Sequence, residues 1–356
     1  MNNNIRISPI IKLTEKCNYS CAFCRYANHR QNDDGMPVDM VLRIISQCVE
    51  YNGNNRVQKQ RIIFHGGEPL LYKKSDLNKI LEFVKVYHNS ANFIITIQTN
   101  GSLIDDEWCS IFKENNIGIG LSFDGPTGLN SHIGNSEHES YHNLIRAKSL
   151  LEKYDIKYGI LSVITSAHIN KARELFNFYV QNRIRNVGLC YCYNPVDNMN
   201  VDPRELGEFL CEFYDLYFSS PIRLNVREFE DITRNILYKN PHNCVSNCRR
   251  NCGLFLTFLP NGDVAFCDDY DLNRTDVVGN IRYQSISDIV SSDLYNHFKK
   301  KAIDDYHKIC GECEIKNVCK GGCPRNDQNN ITNYFCDTYK IIYEYITKNI
   351  SLFLKD

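Results

Sequence analysis

The sequence lacks an excess of charge of either sign, since its 356 residues include 41 lysines and arginines and 42 aspartates and glutamates. No long block of one sign interrupts this balance. Proteins that bind nucleic acid or an anionic membrane usually carry a basic patch or stripe. The composition therefore argues against both partners and favours a small neutral substrate or a peptide.

Long apolar runs are also missing. No stretch is long enough to span a bilayer, and the polar start, MNNNIRIS, lacks the apolar core of a signal peptide. We find no internal repeat and no low-complexity linker. These features predict a cytoplasmic globular protein, and its length favours two domains over one.

Cysteine, by contrast, is abundant, with 17 residues in the chain. In a reducing compartment disulfides explain such a number poorly, and an odd count cannot be paired completely. Metal or redox chemistry is therefore the leading interpretation.

Between residues 5 and 220, short apolar runs alternate with segments of helical period. The runs predicted to be strands are Ile7–Leu13, Arg61–Phe64, Phe93–Gln98, Ile117–Phe123, Tyr158–Ile164 and Val187–Tyr193. The segments predicted to be helices are Pro37–Tyr51, Ser75–Tyr87, Asp105–Glu114, Tyr141–Lys153, His168–Gln181 and Pro203–Tyr217. This alternation predicts an α/β fold with a parallel sheet, curled into a partial (β/α)6 barrel of the TIM type.

The alternation ends at Pro221, after which we expect mostly loops and a second, cysteine-pinned domain. A helix that docks on the rest of the protein is expected at the C-terminal end. There, Ile342, Ile346, Ile350 and Phe353 follow one another at helical spacing.

Three cysteines, Cys17, Cys21 and Cys24, lie in the loop after the first predicted strand. Parallel α/β folds place their ligand sites in such loops. Three thiolates can hold three irons of a 4Fe-4S cube and leave the fourth iron without a protein ligand. The spacing alone leaves two alternatives open: a zinc site with His29 as the fourth ligand, and a ferredoxin-type cluster.

With Phe23 directly before its third cysteine, this triplet resembles the signature of the radical S-adenosylmethionine (radical SAM) superfamily. The resemblance implies that the open iron chelates the amine and carboxylate of S-adenosylmethionine. An electron from the cluster then cleaves the sulfonium bond. The resulting 5'-deoxyadenosyl radical takes a hydrogen atom from the substrate.

Three stretches at the ends of predicted strands fit the same family, namely FHGGEP, QTNGSL and LSFDGP. Each alone is a common strand-to-turn sequence, but they occur in order after the second, third and fourth strands. By resemblance, two glycines let the backbone approach the methionine part of the cofactor, and Glu68 meets its ammonium. The implied cofactor-binding residues are Phe23, Gly66, Gly67, Glu68, Pro69, Asn100, Ser122 and Asp124.

A second group of cysteines lies near the C-terminal end. Cys252, Gly262 and Cys267 follow the pattern C-x9-G-x4-C, while Cys310, Cys313, Cys319 and Cys323 follow C-x2-C-x5-C-x3-C, with Cys336 beyond. This arrangement resembles the SPASM extension of radical SAM enzymes, which holds two auxiliary 4Fe-4S clusters. A zinc site is the alternative for the second pattern in isolation.

The resemblance implies a ligand set for each auxiliary cluster. Cys310, Cys313, Cys319 and Cys336 are expected to hold one, and Cys252, Cys267 and Cys323 the other. The remaining ligand is Cys248 or Cys244, with Cys248 favoured. The predicted domains are a radical SAM core at 1–225 and a SPASM domain with the C-terminal helix at 226–356.

The resemblance covers nearly the whole chain and is closest to the anaerobic sulfatase-maturase type, on the stretches IQTNGSLIDDEWCSIFKENNIGIGLSFDGP and FCDDYDLNRTDVVGNI. Such enzymes oxidise a cysteine or serine of a protein to formylglycine. Close relatives cross-link side chains of ribosomally made peptides. The resemblance implies that Asp268 is the catalytic base, with Tyr26, His65 and Gln98 near the substrate. His65 stands where some maturases carry glutamine.

The sequence therefore predicts an enzyme with three 4Fe-4S clusters and S-adenosylmethionine that modifies a β carbon of a ribosomal peptide or protein. A cross-link is the first expectation and formylglycine the second. We expect flavodoxin or ferredoxin as the electron donor. The non-enzymatic alternatives are a zinc-stapled binding module and an electron carrier.

Overall fold

The computed structural model describes residues 6–24, 34–53, 59–87, 92–132, 134, 136–193, 199–238, 249–269, 276–328 and 332–353. By contacts between Cα atoms these residues form two compact units. The first unit comprises Met1–Ser122, His132–Tyr158 and Gly253–Lys299, and the second comprises Phe123–Ser131, Gly159–Cys252 and Lys300–Asp356.

Six strands alternate with six helices, as the sequence predicts. The strands are β1 (Ile10–Thr14), β2 (Lys59–Gly66), β3 (Asn92–Thr99), β4 (Gly118–Ser122), β5 (Tyr158–Ile164) and β6 (Asn186–Tyr191). The helices are α1 (Val38–Asn52), α2 (Lys74–Tyr87), α3 (Asp106–Glu114), α4 (Glu137–Lys153), α5 (Ala172–Gln181) and α6 (Pro203–Ser219). Side-chain oxygens of Asp105, Ser136 and Asp202 accept backbone N–H groups at the starts of α3, α4 and α6.

A seventh strand and helix follow where the sequence analysis expected loops, and that expectation is wrong. They are β7 (Asn225–Val226) and α7 (Arg227–Tyr238). The strand has two residues, which is too short to show a period. The buried face of α7 includes Glu228, Asp231 and Asn235, so its apolar pattern is broken by polar residues that packing covers.

The remaining elements are short, apart from two longer helices. The strands are β8 (Thr257–Phe258), β9 (Asp263–Ala265), β10 (Val277–Asn280), β11 (Asp327–Gln328) and β12 (Thr332–Asn333). The helices are α8 (Ile286–Ser291), α9 (Asp293–Cys310), α10 (Lys316–Cys319) and α11 (Cys336–Phe353).

In the first unit, the strand order is β10-β9-β8-β1-β2-β3-β4. Strands β1 to β4 are parallel, β8 is parallel to β1, and β9 and β10 add antiparallel neighbours. In the second unit, β5, β6 and β7 are parallel. The carboxyl ends of β1 to β4 therefore meet at one edge, where the loops carry the predicted motifs.

The expected C-terminal helix is confirmed as α11, which packs on α6 within the second unit. Ile342 and Ile346 are fully buried. The Tyr345 hydroxyl donates to the Asp215 carboxylate at 2.6 Å. Ile341 packs against Gly207, where an added Cβ atom would lie 2.8 Å from the Ile341 side chain. Among the described helices, none is long and apolar enough to cross a membrane.

Candidate active site and cluster-binding cysteines

The three-cysteine loop begins three residues after the end of β1. Cys17, Cys21 and Cys24 are all half-buried. The Tyr19 N–H donates to the Cys17 sulfur at 3.4 Å, and the Cys24 N–H donates to the Cys21 carbonyl at 3.0 Å. The loop is therefore held in part by its own hydrogen bonds, while its sulfurs stay partly accessible.

Two aromatic side chains fix this loop to the rest of the first unit. Tyr19 is buried, and its hydroxyl accepts a hydrogen bond from the Asn143 amide at 3.2 Å. Phe23 meets the ring of His132 edge to face, with centroids 4.8 Å apart. The sequence analysis named Phe23 but missed Tyr19 and His132, because an aromatic inside a loop carries no periodic signal.

The GGEP motif at the end of β2 clamps the segment that leads into the cysteine loop. The Gly67 N–H donates to the Thr14 carbonyl at 2.9 Å, and the Glu68 N–H donates to the Lys16 carbonyl at 2.7 Å. A Cβ atom added to Gly66 would lie 2.3 Å from the Thr14 carbonyl oxygen. One added to Gly67 would lie 2.2 Å from the Lys16 carbonyl oxygen. The glycines therefore serve a backbone contact inside the protein, a purpose that the sequence analysis did not foresee.

Replacing Gly67 by alanine is expected to displace the cysteine loop, because backbone atoms cannot move aside as a flexible side chain can. We expect the free energy of unfolding to fall by about 1–3 kcal/mol and iron content after anaerobic reconstitution to drop. Denaturant unfolding and iron analysis measure both. Gly118→Ala is the matched control, since a Cβ there makes only ordinary contact, 3.5 Å from Thr96. Wild-type stability and iron content in Gly67→Ala would contradict the clamp.

Glu68 is buried, with both carboxylate oxygens engaged. Oε1 accepts from the Leu70 N–H at 2.9 Å, in the turn that begins at Pro69, and from the Thr99 hydroxyl at 2.6 Å. Oε2 accepts from the Asn100 N–H at 2.8 Å. Burial raises the pKa of Glu68 to about 7, although these hydrogen bonds lower it. A cation nearby would favour the charged form, so Glu68 fits the predicted contact with an ammonium.

Asn100, another predicted cofactor-binding residue, is tied to the cysteine loop. Its amide donates to the Asn18 side chain at 2.9 Å, and the Asn18 amide donates to the Ser102 hydroxyl at 2.8 Å. The Ser102 hydroxyl in turn donates to the side-chain oxygen Oδ1 of Asn100 at 2.6 Å. This small network fixes the residue directly after Cys17.

A row of polar side chains runs across the neighbouring strands β1, β2 and β3. Lys12 of β1 lies opposite His65 of β2 in the parallel register. Phe64 pairs with Ile97, so the next positions, His65 and Gln98, are also neighbours. Side chains at matching positions of parallel strands point to the same face. Two of the predicted substrate-side residues, His65 and Gln98, are therefore adjacent.

Asp268 joins this row through an ion pair. Its Oδ1 lies 3.0 Å from the Lys12 ammonium, whose side chain is 3% exposed, whereas that of Asp268 is 25% exposed. Burial lowers the pKa of His65, while the charge of Asp268 raises it and that of Lys12 lowers it. The sequence analysis missed Lys12. Lys12 could have been recognised as a single lysine inside an apolar strand, because a buried lysine needs a partner for its charge.

The Gln98 side chain extends toward β4. Its amide donates to the Ser122 hydroxyl at 2.8 Å, and its Oε1 would lie 2.1 Å from a Cβ on Gly120. A predicted substrate-side residue and a predicted cofactor-binding residue are thus hydrogen-bonded, and the missing side chain at Gly120 makes room for this contact.

Asp124 has a different environment, described within the second unit. Its carboxylate is fully buried, with Oδ1 accepting from the Val163 N–H at 2.7 Å and Oδ2 from the Ser131 N–H at 2.9 Å. These bonds fix the turn after β4. The contact of Asp124 with the cofactor stays a prediction.

Four of the C-terminal cysteines lie near one another in the second unit. Burial raises the pKa of the Cys310 thiol to about 11, and charges on Cys313 and Cys336 raise it further. Burial also raises the pKa of Cys319 to about 12, and charges on Cys336 and Cys310 raise it further. Mutually close thiols fit an iron–sulfur cluster.

The ligands predicted for the other auxiliary cluster are divided between the units. Cys267 belongs to the first unit, and Cys252 and Cys323 belong to the second. Four residues named in the sequence analysis lie outside the described residues: Tyr26, His29, Cys244 and Cys248. Their roles stay predictions.

The alternative of a structural zinc ion requires ligands that converge on a single point. Among the residues that the structure describes, no three His, Cys, Asp or Glu side chains form such a group. Three candidate ligands, His29, Cys244 and Cys248, lie outside those residues.

Two family models match the chain. The radical SAM superfamily model matches residues 11–166, which carry the cysteine loop and the motifs after β2 to β4. An iron–sulfur cluster-binding domain of the SPASM type matches residues 248–314. The chain therefore carries a radical SAM domain and a SPASM domain, which confirms the resemblance. Its cofactors are 4Fe-4S clusters and S-adenosylmethionine.

Among individual relatives, the chain is similar to a cysteine-type anaerobic sulfatase-maturating enzyme of Clostridium novyi. The two are 28% identical over 97% of this chain and 96% of the relative. A serine-type anaerobic sulfatase-maturating enzyme of Bacteroides thetaiotaomicron is 23% identical over 96% of this chain and 89% of the relative.

Solved structures show the same fold. Native anSMEcpe with bound AdoMet superposes with a TM-score of 0.86 at 24% identity, covering 98% of this chain and 100% of the other. Streptococcus suis SuiB bound to precursor peptide SuiA gives a TM-score of 0.66 at 18% identity, covering 94% and 76%. The predicted combination of a parallel-sheet radical SAM core with a SPASM domain is thus confirmed.

Proposed function

We propose that this enzyme oxidises a β carbon of a side chain in a ribosomally made peptide or protein, and that the product is a cross-link. The observation that carries the proposal is the ion pair between Lys12 and Asp268, in one polar row with His65 and Gln98. This row lies in the first unit, with the cysteine loop.

Asp268 is the proton acceptor in this proposal. A buried ammonium 3.0 Å away favours the ionised carboxylate, which is the form that a base needs. Partial exposure of Asp268 leaves it accessible to a substrate group. Because burial lowers its pKa, His65 is neutral at pH 7 and can orient a polar group of the peptide.

Forming a bond between a β carbon and a second side chain removes one hydrogen atom, one proton and one electron. When bound, the clusters and S-adenosylmethionine supply the radical for the hydrogen atom and an acceptor for the electron. The proton goes to Asp268. Gln98, in the same polar row as His65, is hydrogen-bonded to Ser122 and is proposed to contact the substrate.

We assign one auxiliary cluster to Cys310, Cys313, Cys319 and Cys336, whose mutual proximity supports the assignment. By resemblance, the other takes Cys252, Cys267, Cys323 and Cys248 or Cys244. A flavodoxin or ferredoxin is the proposed electron donor.

Formylglycine formation is the second candidate. It is favoured by the 28% identity to a cysteine-type sulfatase-maturating enzyme over nearly the full length of both chains. The chemistry is related, because oxidation of the β carbon of cysteine or serine also loses a hydrogen atom, a proton and an electron.

Mass spectrometry of modified peptides tests the proposal. The reconstituted, reduced enzyme is incubated with S-adenosylmethionine and either a peptide encoded beside its gene or a peptide with a sulfatase motif. A cross-link gives loss of two hydrogens and fragments that stay joined. A serine-derived aldehyde gives the same loss but reacts with a hydrazide, and a cysteine-derived aldehyde also loses sulfur. Zinc as the dominant metal, without cleavage of S-adenosylmethionine, would overturn both candidates.

A further inference from the structure

Arg249 is a buried arginine beside the second cysteine group, and its guanidinium is held by several partners. Nε and Nη2 donate to the Gly321 carbonyl at 3.2 and 3.0 Å, and Nη1 donates to the Ala302 carbonyl at 3.2 Å. Nη2 also donates to both oxygens of Asp327, at 2.6 and 2.8 Å. The Arg249 side chain is 3% exposed. Burying an ion is costly, so such a charge persists only when it is thoroughly paired.

The contact with Gly321 reaches a predicted cluster ligand. Lys320 is left-handed, with φ 55°, and ends α10 directly after Cys319. The Gly322 N–H then donates to the Cys319 carbonyl at 3.5 Å. Arg249 therefore holds the carbonyl of the second residue after Cys319, inside the turn that follows this predicted ligand.

The partner of Arg249 reaches the neighbouring ligand segment. Asp327 also accepts a hydrogen bond from the Asn333 amide at 3.0 Å, and the same amide donates to the Cys323 carbonyl at 2.7 Å. The three side chains thus connect the turn after Cys319 with the backbone of Cys323, within the second unit.

The charges of Arg249 and Asp327 both affect the Cys310 thiol. Burial raises the pKa of Cys310, the positive charge of Arg249 lowers it, and the negative charge of Asp327 raises it. Both charges therefore lie within electrostatic reach of the cysteine group. Nearby charge and N–H bonds to sulfur are the means by which proteins adjust iron–sulfur potentials.

We propose that Arg249 is a positioning residue for the auxiliary cluster of Cys310, Cys313, Cys319 and Cys336, and that it raises the reduction potential of this cluster. It holds the turn directly after Cys319 and brings a positive charge to it, and it offsets the negative charge of Asp327. Both effects favour the reduced, more negative cluster. The inference rests on the ligand assignment made under Proposed function.

The test is a redox titration of the reconstituted holoenzyme, followed by electron paramagnetic resonance. Signals unaffected by S-adenosylmethionine report the auxiliary clusters. In Arg249→Gln, one auxiliary signal should shift so that about tenfold less is reduced at a fixed potential, equal to about 59 mV for one electron. Asp327→Asn should shift the same signal in the opposite direction, because it leaves the arginine charge unbalanced.

Arg249→Lys keeps the charge but loses the planar fork, so its shift should be smaller than that of Arg249→Gln. If Arg249→Gln does not fold, Asp327→Asn and Arg249→Lys decide. Unchanged auxiliary potentials in every folded variant would overturn the inference. Cys319→Ala tests the ligand assignment separately from the role of Arg249. Full iron content in Cys319→Ala would refute the ligand assignment. Loss of one cluster in Cys319→Ala, together with unchanged potentials in the Arg249 variants, would refute only the role of Arg249.

Discussion

Replacing Cys24 by alanine is expected to abolish reductive cleavage of S-adenosylmethionine, the largest effect that we foresee for a single substitution. By the family resemblance, three thiolates from one short loop are expected to hold the cluster that binds the cofactor, and two thiolates would leave two irons without protein ligands. Iron content should fall from about twelve to about eight per chain, since one cube of four is lost. Iron analysis and chromatography of 5'-deoxyadenosine measure both quantities.

The control for this experiment is Cys211→Ala. Cys211 is a half-buried free thiol on α6, and the sequence analysis assigned it no function. It should keep full iron content and full cleavage activity. If Cys24→Ala still cleaves S-adenosylmethionine at the wild-type rate, the three-cysteine loop is not the cofactor site and the catalytic assignment fails.

The second large effect is expected for Asp268→Asn. An amide cannot accept the substrate proton, and general acid–base catalysis contributes about 10²–10⁴-fold to a rate. Peptide modification should therefore slow by about that factor. Cleavage of S-adenosylmethionine should continue without product, because the cluster that cleaves it is assigned to the cysteine loop and not to Asp268. Parallel measurement of 5'-deoxyadenosine and modified peptide detects this uncoupling.

Asp269→Asn is the matched control, since the neighbouring side chain is exposed and the substitution changes the local charge equally. Iron content of both variants must be measured, because Cys267 is adjacent. A wild-type rate of peptide modification in Asp268→Asn, at equal iron content, would exclude Asp268 as the base.

The substitution Lys12→Met tests whether the ion pair with Lys12 holds the Asp268 carboxylate in place. Removing one partner of a buried ion pair leaves the other without compensation, which costs about 3–5 kcal/mol when both are fully buried. Asp268 is 25% exposed, so water can compensate in part and a smaller cost is expected. The modification rate should also fall, because the carboxylate loses the contact that orients it.

Strands β1 to β6 could be predicted because buried parallel strands appear in a sequence as short, nearly continuous apolar runs. All six were located to within a few residues. The unit β7–α7 was missed for the opposite reason. Glu228, Asp231 and Asn235 are buried on α7, and their burial depends on partners from distant parts of the chain, such as the Leu189 N–H that donates to Glu228 at 2.8 Å.

The site residues divide in the same way. Cysteine spacing and the GGEP sequence identify chemistry that few other residue types can perform, so they could be read directly. Lys12, Tyr19 and Arg249 are common residue types in unremarkable positions. Their importance comes from the groups they meet: Asp268, Asn143 and Asp327 respectively.

The sequence by itself determined the cofactor chemistry and the alternation of strands and helices, because thiol spacing and apolar period are local properties of the chain. The tertiary structure alone decided that Asp268 pairs with Lys12, and that the glycines of GGEP press against the segment before Cys17. These contacts join residues far apart in the chain, and only folding brings their atoms within a few ångströms.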